Sequence, residues 1–296
     1  MAMTSEHPFG SNLVAMVTPM NSDGSLDEHS LHRLVDHLLA GGCDGIVVAG
    51  TAGEAPTLTD VESSWLIRKA ATRVAGRARV IAGVGTYDTA SSIDRARRAQ
   101  DAGADGVLLV CPYYSRPTQA GIVAHCAMVA DATELPMMLY DVPVRTGLAI
   151  EAATLIELAA HPNIVAVKDA KGDLFEASSV MARTSLPYYC GIDELNLPYL
   201  AIGAAGVVSV VGNVVAEQNC QLVRAVREGD LETARSIHTS LLPFTDAVMR
   251  TSQGAIMAKA ALAEIGIIAD SAVRLPLLPP PPEHRRRIVD ALAVTA

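Results

Sequence analysis

A short phrase recurs three times along the chain. Ala40-Gly-Gly-Cys-Asp-Gly-Ile-Val-Val-Ala-Gly50 is echoed by Asp101-Ala-Gly-Ala-Asp-Gly-Val-Leu-Leu-Val110, and again by Ile202-Gly-Ala-Ala-Gly-Val-Val-Ser-Val210. Each copy reads as a helix ending at glycine, a tight turn, and a strand that is apolar on both faces. Such strands belong in parallel sheets covered by helices. Filling in between the echoes gives strand candidates at Leu13–Val17, Gly45–Ala49, Val80–Gly83, Gly106–Val110, Met137–Tyr140, Val165–Lys168, Tyr188–Cys190 and Val207–Val210. Helix-patterned stretches such as Asp27–Ala40, Thr59–Val74 and Ser91–Ala102 separate them, and Asp27 and Thr59 are good helix starts because their side chains can accept from free backbone N–H groups. This alternation predicts an α/β fold, a (β/α)8 TIM barrel, which typically takes ~250 residues; the chain has 296. A doubly wound sheet would favour G-x-G-x-x-G after the first strand, and Val17-Thr-Pro-Met-Asn-Ser-Asp23 does not match it.

From about Ala216 onward the pattern is helical only, with Leu241–Met249 and Gly254–Ile265 as members and Pro279–Pro282 as a rigid connector into a last helix. Residues 1–230 are therefore expected to form the barrel with the active site, and residues 231–296 a C-terminal helical extension. A formal net charge of −9 argues against a phosphate-binding surface and so against nucleic acid as a partner. No apolar run reaches the ~18 residues of a membrane span. The segment Met1–His7 lacks the basic and apolar regions of a signal peptide, so a cytoplasmic location is expected. The five cysteines show no C-x-x-C spacing and read as reduced thiols. His29, His32 and His37 share one helix and read as a wet face, and no metal site is expected.

In a barrel, sites form at the C-terminal ends of the strands. Unusual residues accumulate there: Thr18-Pro19, Gly50–Ala55, Cys111–Arg116, Tyr140–Gly147, Lys168-Asp169 and Gly191–Asp193. The chain has only four lysines. Lys69 and Lys171 read as solvated, whereas Lys168 closes an apolar strand. Loss of water there favours the neutral amine, the form that attacks a carbonyl to make a Schiff base. A lysine at a strand's mouth is commonly just solvated, so the neighbours decide. Tyr140 ends the preceding strand, and a phenol beside an amine can shuttle protons. Gly50-Thr-Ala-Gly-Glu54 can cradle a small carboxylate on backbone N–H groups, and it lacks the G-K-[ST] of a nucleotide loop. Thr51 adds a hydroxyl that both donates and accepts. Arg145 offers a bidentate fork for a second carboxylate, or else a surface salt bridge. Tyr113 and Tyr114, between prolines, suggest a subunit contact or a substrate lid.

These residues carry a resemblance. Ala15-Met-Val-Thr-Pro19, Gly50–Glu54, Pro112-Tyr-Tyr-Ser-Arg-Pro117, Tyr140-Asp-Val-Pro-Val-Arg-Thr-Gly147, Val167-Lys-Asp169 and Gly206-Val-Val-Ser209 resemble the motifs of the pyruvate-dependent class I aldolases of the dihydrodipicolinate synthase and N-acetylneuraminate lyase family. The similarity runs from about Leu13 to at least Ile265. It implies the barrel with its helical extension and a homotetramer built as a dimer of dimers. By the same resemblance Lys168 forms the Schiff base with pyruvate. Tyr140, Thr51 and Tyr114 form the proton relay, with Tyr114 reaching into the neighbouring subunit. Arg145 binds the carboxylate of aspartate semialdehyde, and Gly191 and Val208 lie close to pyruvate. The family's sugar-acid lyases generally lack the arginine, so Arg145 favours the lyase chemistry of lysine and diaminopimelate biosynthesis, the condensation of pyruvate with aspartate semialdehyde. No metal or organic cofactor is implied, the lysine itself being the electron sink. One departure matters: where the family usually has a second threonine, this chain has Ala52, and the lost hydroxyl predicts weaker pyruvate binding. A different aldehyde, or a non-catalytic keto-acid-binding role, remains an alternative reading of the same residues.

Overall fold

The computed structural model describes residues 7–295, so the N-terminal segment read for a leader lies, up to Glu6, outside the described residues. Eight strands close into one parallel barrel in chain order. They are β1 (Asn12–Ala15), β2 (Gly45–Val48), β3 (Arg79–Gly83), β4 (Gly106–Val110), β5 (Met137–Asp141), β6 (Ile164–Asp169), β7 (Tyr188–Cys190) and β8 (Gly206–Ser209). Between them run α1 (Glu28–Ala40), α2 (Asp60–Val74), α3 (Thr89–Asp101), α4 (Gln119–Asp131), the short α5 (Pro143–Thr146), α6 (Ala152–Leu158), α7 (Leu174–Met181) and α8 (Asn196–Ala201). After β8 come α9 (Gly212–Arg227), α10 (Leu231–Met249), α11 (Gly254–Glu264) and α12 (Pro282–Thr295). Every predicted strand is present to within two residues at either end.

Local chemistry sets the element boundaries. The glycines of the three echoes, Gly42, Gly103 and Gly203, have φ of +78°, +89° and +102°, the left-handed conformation that ends a helix at least cost in glycine. Asp27 accepts from the Ser30 amide at 3.0 Å, and Thr59 forms a reciprocal capping box with Glu62. Helix α3 starts two residues earlier than its apolar pattern suggested, because Asp88 caps it by accepting from the Ser91 amide at 2.7 Å.

Two apolar cores follow from strands buried on both faces. Inward-facing residues such as Leu13, Val47, Ile81, Leu108, Met138, Tyr189 and Val208 fill the barrel, and Val14, Ile46, Val80 and Leu109 pack outward against the helices. The helices α9–α12 pack on one another and on β1, and α10 with α11 bring Met249 and Gln253 to the strand ends. Among the described residues no helix is long and apolar enough to cross a membrane, and no group of three or more His, Cys, Asp or Glu is placed to hold a metal ion. The histidine face of α1 is drier than expected. His29 is exposed, but His37 is half-buried and its pKa is lowered by burial.

Candidate active site

The strand ends open into a cavity of about 370 Å³ with Lys168 on its wall. Tyr140 on β5 and Lys168 on β6 are direct cross-strand partners in the parallel register. Both therefore point into the barrel, and Lys168 Nζ lies 4.3 Å from the centre of the Tyr140 ring. Lys168 is 4% exposed, yet no carboxylate is paired with it among the described residues. Gly191, at the end of β7, makes room for it. A methyl group there would sit 2.9 Å from Lys168 Cε, closer than two carbons can approach.

The turn after β2 supplies a second wall. Thr51 and Ala52 both line the cavity, and their amides donate to no backbone acceptor among the described residues, as an anion cradle requires. The turn is anchored from behind. Thr18 Oγ1 donates to the Gly53 carbonyl at 2.7 Å, and the buried Glu54 carboxylate pairs with Lys259 of α11 and accepts from the Arg274 amide at 3.0 Å. Lys259 also donates to the Ala272 carbonyl at 2.7 Å. Burial pulls the Lys259 pKa down, while Glu54 opposes that pull. No sequence motif links Glu54 to Lys259, since 205 positions separate them.

Arg145 sits in α5, which begins at Pro143 and stops at Gly147 with φ +74°. Its side chain is exposed, lines the Lys168 cavity and an adjoining one of about 250 Å³, and forms no ion pair among the described residues. The surface salt bridge considered from sequence is therefore not formed. Tyr114 is not brought to this chain's own cavity: it is 90% exposed with φ +67°. Its neighbour Tyr113 lines the adjoining cavity and packs edge-on against Tyr87, ring centres 5.3 Å apart. Val208 faces the barrel interior beside Leu13, and it is Val210, two residues on, that reaches the cavity wall. The structure thus gathers Lys168, Tyr140, Thr51, Ala52, Arg145 and Gly191 in one place, with Tyr114 and Val208 outside it.

Alternation along the strands sends the next cross-strand pair, Asp141 and Asp169, outward. There they meet Lys171, which is not solvated as its polar turn suggested. Its ammonium lies 3.1 Å from Asp141 and 2.5 Å from Glu176, with a bond to the Ile150 carbonyl at 3.0 Å. Burial pushes the Asp141 carboxyl up to about 6 against the pull of Lys171. Burial also draws Lys171 down, but Asp141 and Glu176 outweigh it and its pKa ends raised. Asp169 completes the brace by accepting from the Lys171 amide at 2.7 Å. Tyr140 and Lys168 are thereby held by an ionic clamp one residue behind them.

A family model described as the dihydrodipicolinate synthetase family matches residues 8–295. The chain belongs to the dihydrodipicolinate synthetase family. It is 49% identical over 287 residues, 97% of this chain and 93% of the relative, to the 4-hydroxy-tetrahydrodipicolinate synthase of Kineococcus radiotolerans. It is 51% identical to that of Mycolicibacterium paratuberculosis over 93% of this chain and 91% of the relative. Among solved structures of the family, the chloride-inhibited dihydrodipicolinate synthase of Acinetobacter baumannii, crystallised with pyruvate, superposes with a TM-score of 0.93 at 35% identity, covering 97% of this chain and 98% of that one. Membership in the family accounts for the barrel and for the motifs that converge on its rim.

Proposed function

We propose that the chain condenses pyruvate with L-aspartate-4-semialdehyde to 4-hydroxy-tetrahydrodipicolinate, in lysine and diaminopimelate biosynthesis, through a Schiff base on Lys168. The observation that carries this is a buried lysine with no carboxylate partner, set against Tyr140, in a cavity that also displays an unpaired Arg145. The relatives of known name support it, as does the pyruvate bound by the Acinetobacter enzyme.

In this reading the Lys168 amine attacks C2 of pyruvate, and the carbinolamine loses water to give a ketimine. Tyr140 and Thr51 carry the protons, assisted by Tyr114 of a second copy, whose exposure in the single chain suits that role. The amides of Thr51 and Ala52 hold the pyruvate carboxylate, with Gly191 and Val210 shaping the space around it. Loss of a C3 proton gives the enamine, which attacks the aldehyde carbon, and the substrate's own amine then closes the ring and releases Lys168. Arg145 holds the aldehyde's carboxylate. No metal or organic cofactor enters the scheme. A homotetramer, a dimer of dimers sharing Tyr114, and a cytoplasmic location belong to the same proposal. Borohydride reduction after incubation with pyruvate is expected to leave a pyruvate-derived adduct on Lys168, read by intact and peptide mass. An unmodified Lys168 at millimolar pyruvate would end this reading.

A further inference from the structure

The wall of the Lys168 cavity away from the Gly50–Glu54 turn holds a group that the reaction scheme leaves idle. The turn after β7 carries Glu194, which lines the same cavity as Arg145 and Lys168. Its side chain is 23% exposed, and its Oε1 lies 3.3 Å from Nε of Arg250, which is 66% exposed. A pair this open to water is weak. No bond reaches Glu194 Oε2 among the described residues. The cavity wall also includes apolar Ile192, Val210 and Met249, and Gln253, whose side-chain oxygen is taken up in capping α11. A carboxylate with an idle oxygen thus stands on the wall of a cavity that also holds an unpaired guanidinium.

We propose that Glu194 binds the α-ammonium of the aldehyde substrate while Arg145 binds its α-carboxylate, so that the cavity reads the substrate as a zwitterionic amino acid. This rests on the proposed function above. An amino-acid aldehyde carries a cation and an anion on one carbon, and only a site offering both signs satisfies both. An ammonium–carboxylate bond is of the stronger, charge-assisted kind. A site built around it also rejects analogues lacking the amine, because Glu194 is then left without its partner. A sugar-acid aldehyde presents hydroxyl groups there and gains nothing from a carboxylate. Glu194 is in this sense a specificity residue, and it lay in a turn with no motif to mark it.

Steady-state kinetics on the Glu194→Gln variant test the proposal. The KM for aspartate semialdehyde is expected to rise about tenfold to a hundredfold. The KM for pyruvate, the borohydride adduct on Lys168 and the inhibition constant of succinate semialdehyde, which keeps the carboxylate and lacks the amine, are expected to stay unchanged. Glu194→Asp, which keeps the charge, should recover part of the loss, and Arg250→Gln should leave all four quantities as they were. An unchanged KM for aspartate semialdehyde in Glu194→Gln overturns the proposal. So does an equal defect in Arg250→Gln, which would mean that the pair merely holds the turn. A wild-type protein that forms no adduct with pyruvate would instead fail the function on which the proposal stands.

Discussion

The rim at the end of β6 and the interior of α11 each bury a lysine, and they treat it in opposite ways. Lys259 is fully buried and answered at once by the Glu54 carboxylate and the Ala272 carbonyl. Lys168 is nearly as buried but faces an aromatic ring and a cavity, with no carboxylate at hand. Moving a charge out of water is costly unless a partner compensates. A paired buried lysine is therefore a structural tie, here fastening the Gly50–Glu54 turn to the C-terminal helices. An unpaired one is kept at the expense of stability and is available for chemistry. Lys171 lies between the two cases, paired with Asp141 and Glu176 behind Tyr140 and Lys168.

Exchanging the lysines for methionine is the sharpest way to break this contrast. Lys168→Met is expected to lower turnover by about three orders of magnitude or more while raising the midpoint of urea unfolding, because the desolvation cost of the unpaired amine is removed. Lys259→Met should act on stability, lowering it by about 3–5 kcal/mol because Glu54 stays buried without its partner. The double variant Lys259→Met with Glu54→Gln should regain most of that loss. If Lys168→Met proved the more destabilising of the two, the distinction would fail. Gly191→Ala probes the space that Lys168 needs, which is bounded as well by the Asp169 carbonyl and Ala170 Cβ, 3.0 and 3.1 Å from the added methyl. The new methyl would meet Lys168 Cε at 2.9 Å, and a displaced amine should lower kcat about 10- to 100-fold, with the Lys168 adduct forming more slowly. Smallest is Ala52→Thr, which adds a hydroxyl beside the free amides of the cradle. It should lower the KM for pyruvate about tenfold without touching the KM for the aldehyde, and an unchanged pyruvate KM would remove Ala52 from the carboxylate's surroundings.

Much of this is legible in the amino-acid sequence. The three glycine-terminated echoes and the doubly apolar strands announce a parallel barrel, because both features are local: a left-handed residue after a helix and a side-chain pattern along a strand. The site was legible where it depended on strand order. Tyr140 and Lys168 end consecutive strands, and neighbouring parallel strands in a barrel must set such residues side by side. Asp27 and Thr59 announce their helices by capping, and Asp88 is equally a cap, although the apolar pattern of α3 begins only later.

What stayed hidden depends on contacts between distant segments. Glu54 meets Lys259, Glu194 enters the Lys168 cavity, and Lys171 pairs with Asp141 on the outer face of the barrel, none of which a spacing rule can express. Tyr114, in a rim motif, points out of the single chain, which no spacing rule expresses either. The amino-acid sequence by itself determined the elements, their order and which residues crown them, through backbone preferences and alternation acting over a few residues. Only the tertiary structure decided which buried charges are answered and which are left free, because that balance is struck between side chains that the chain brings together from far apart.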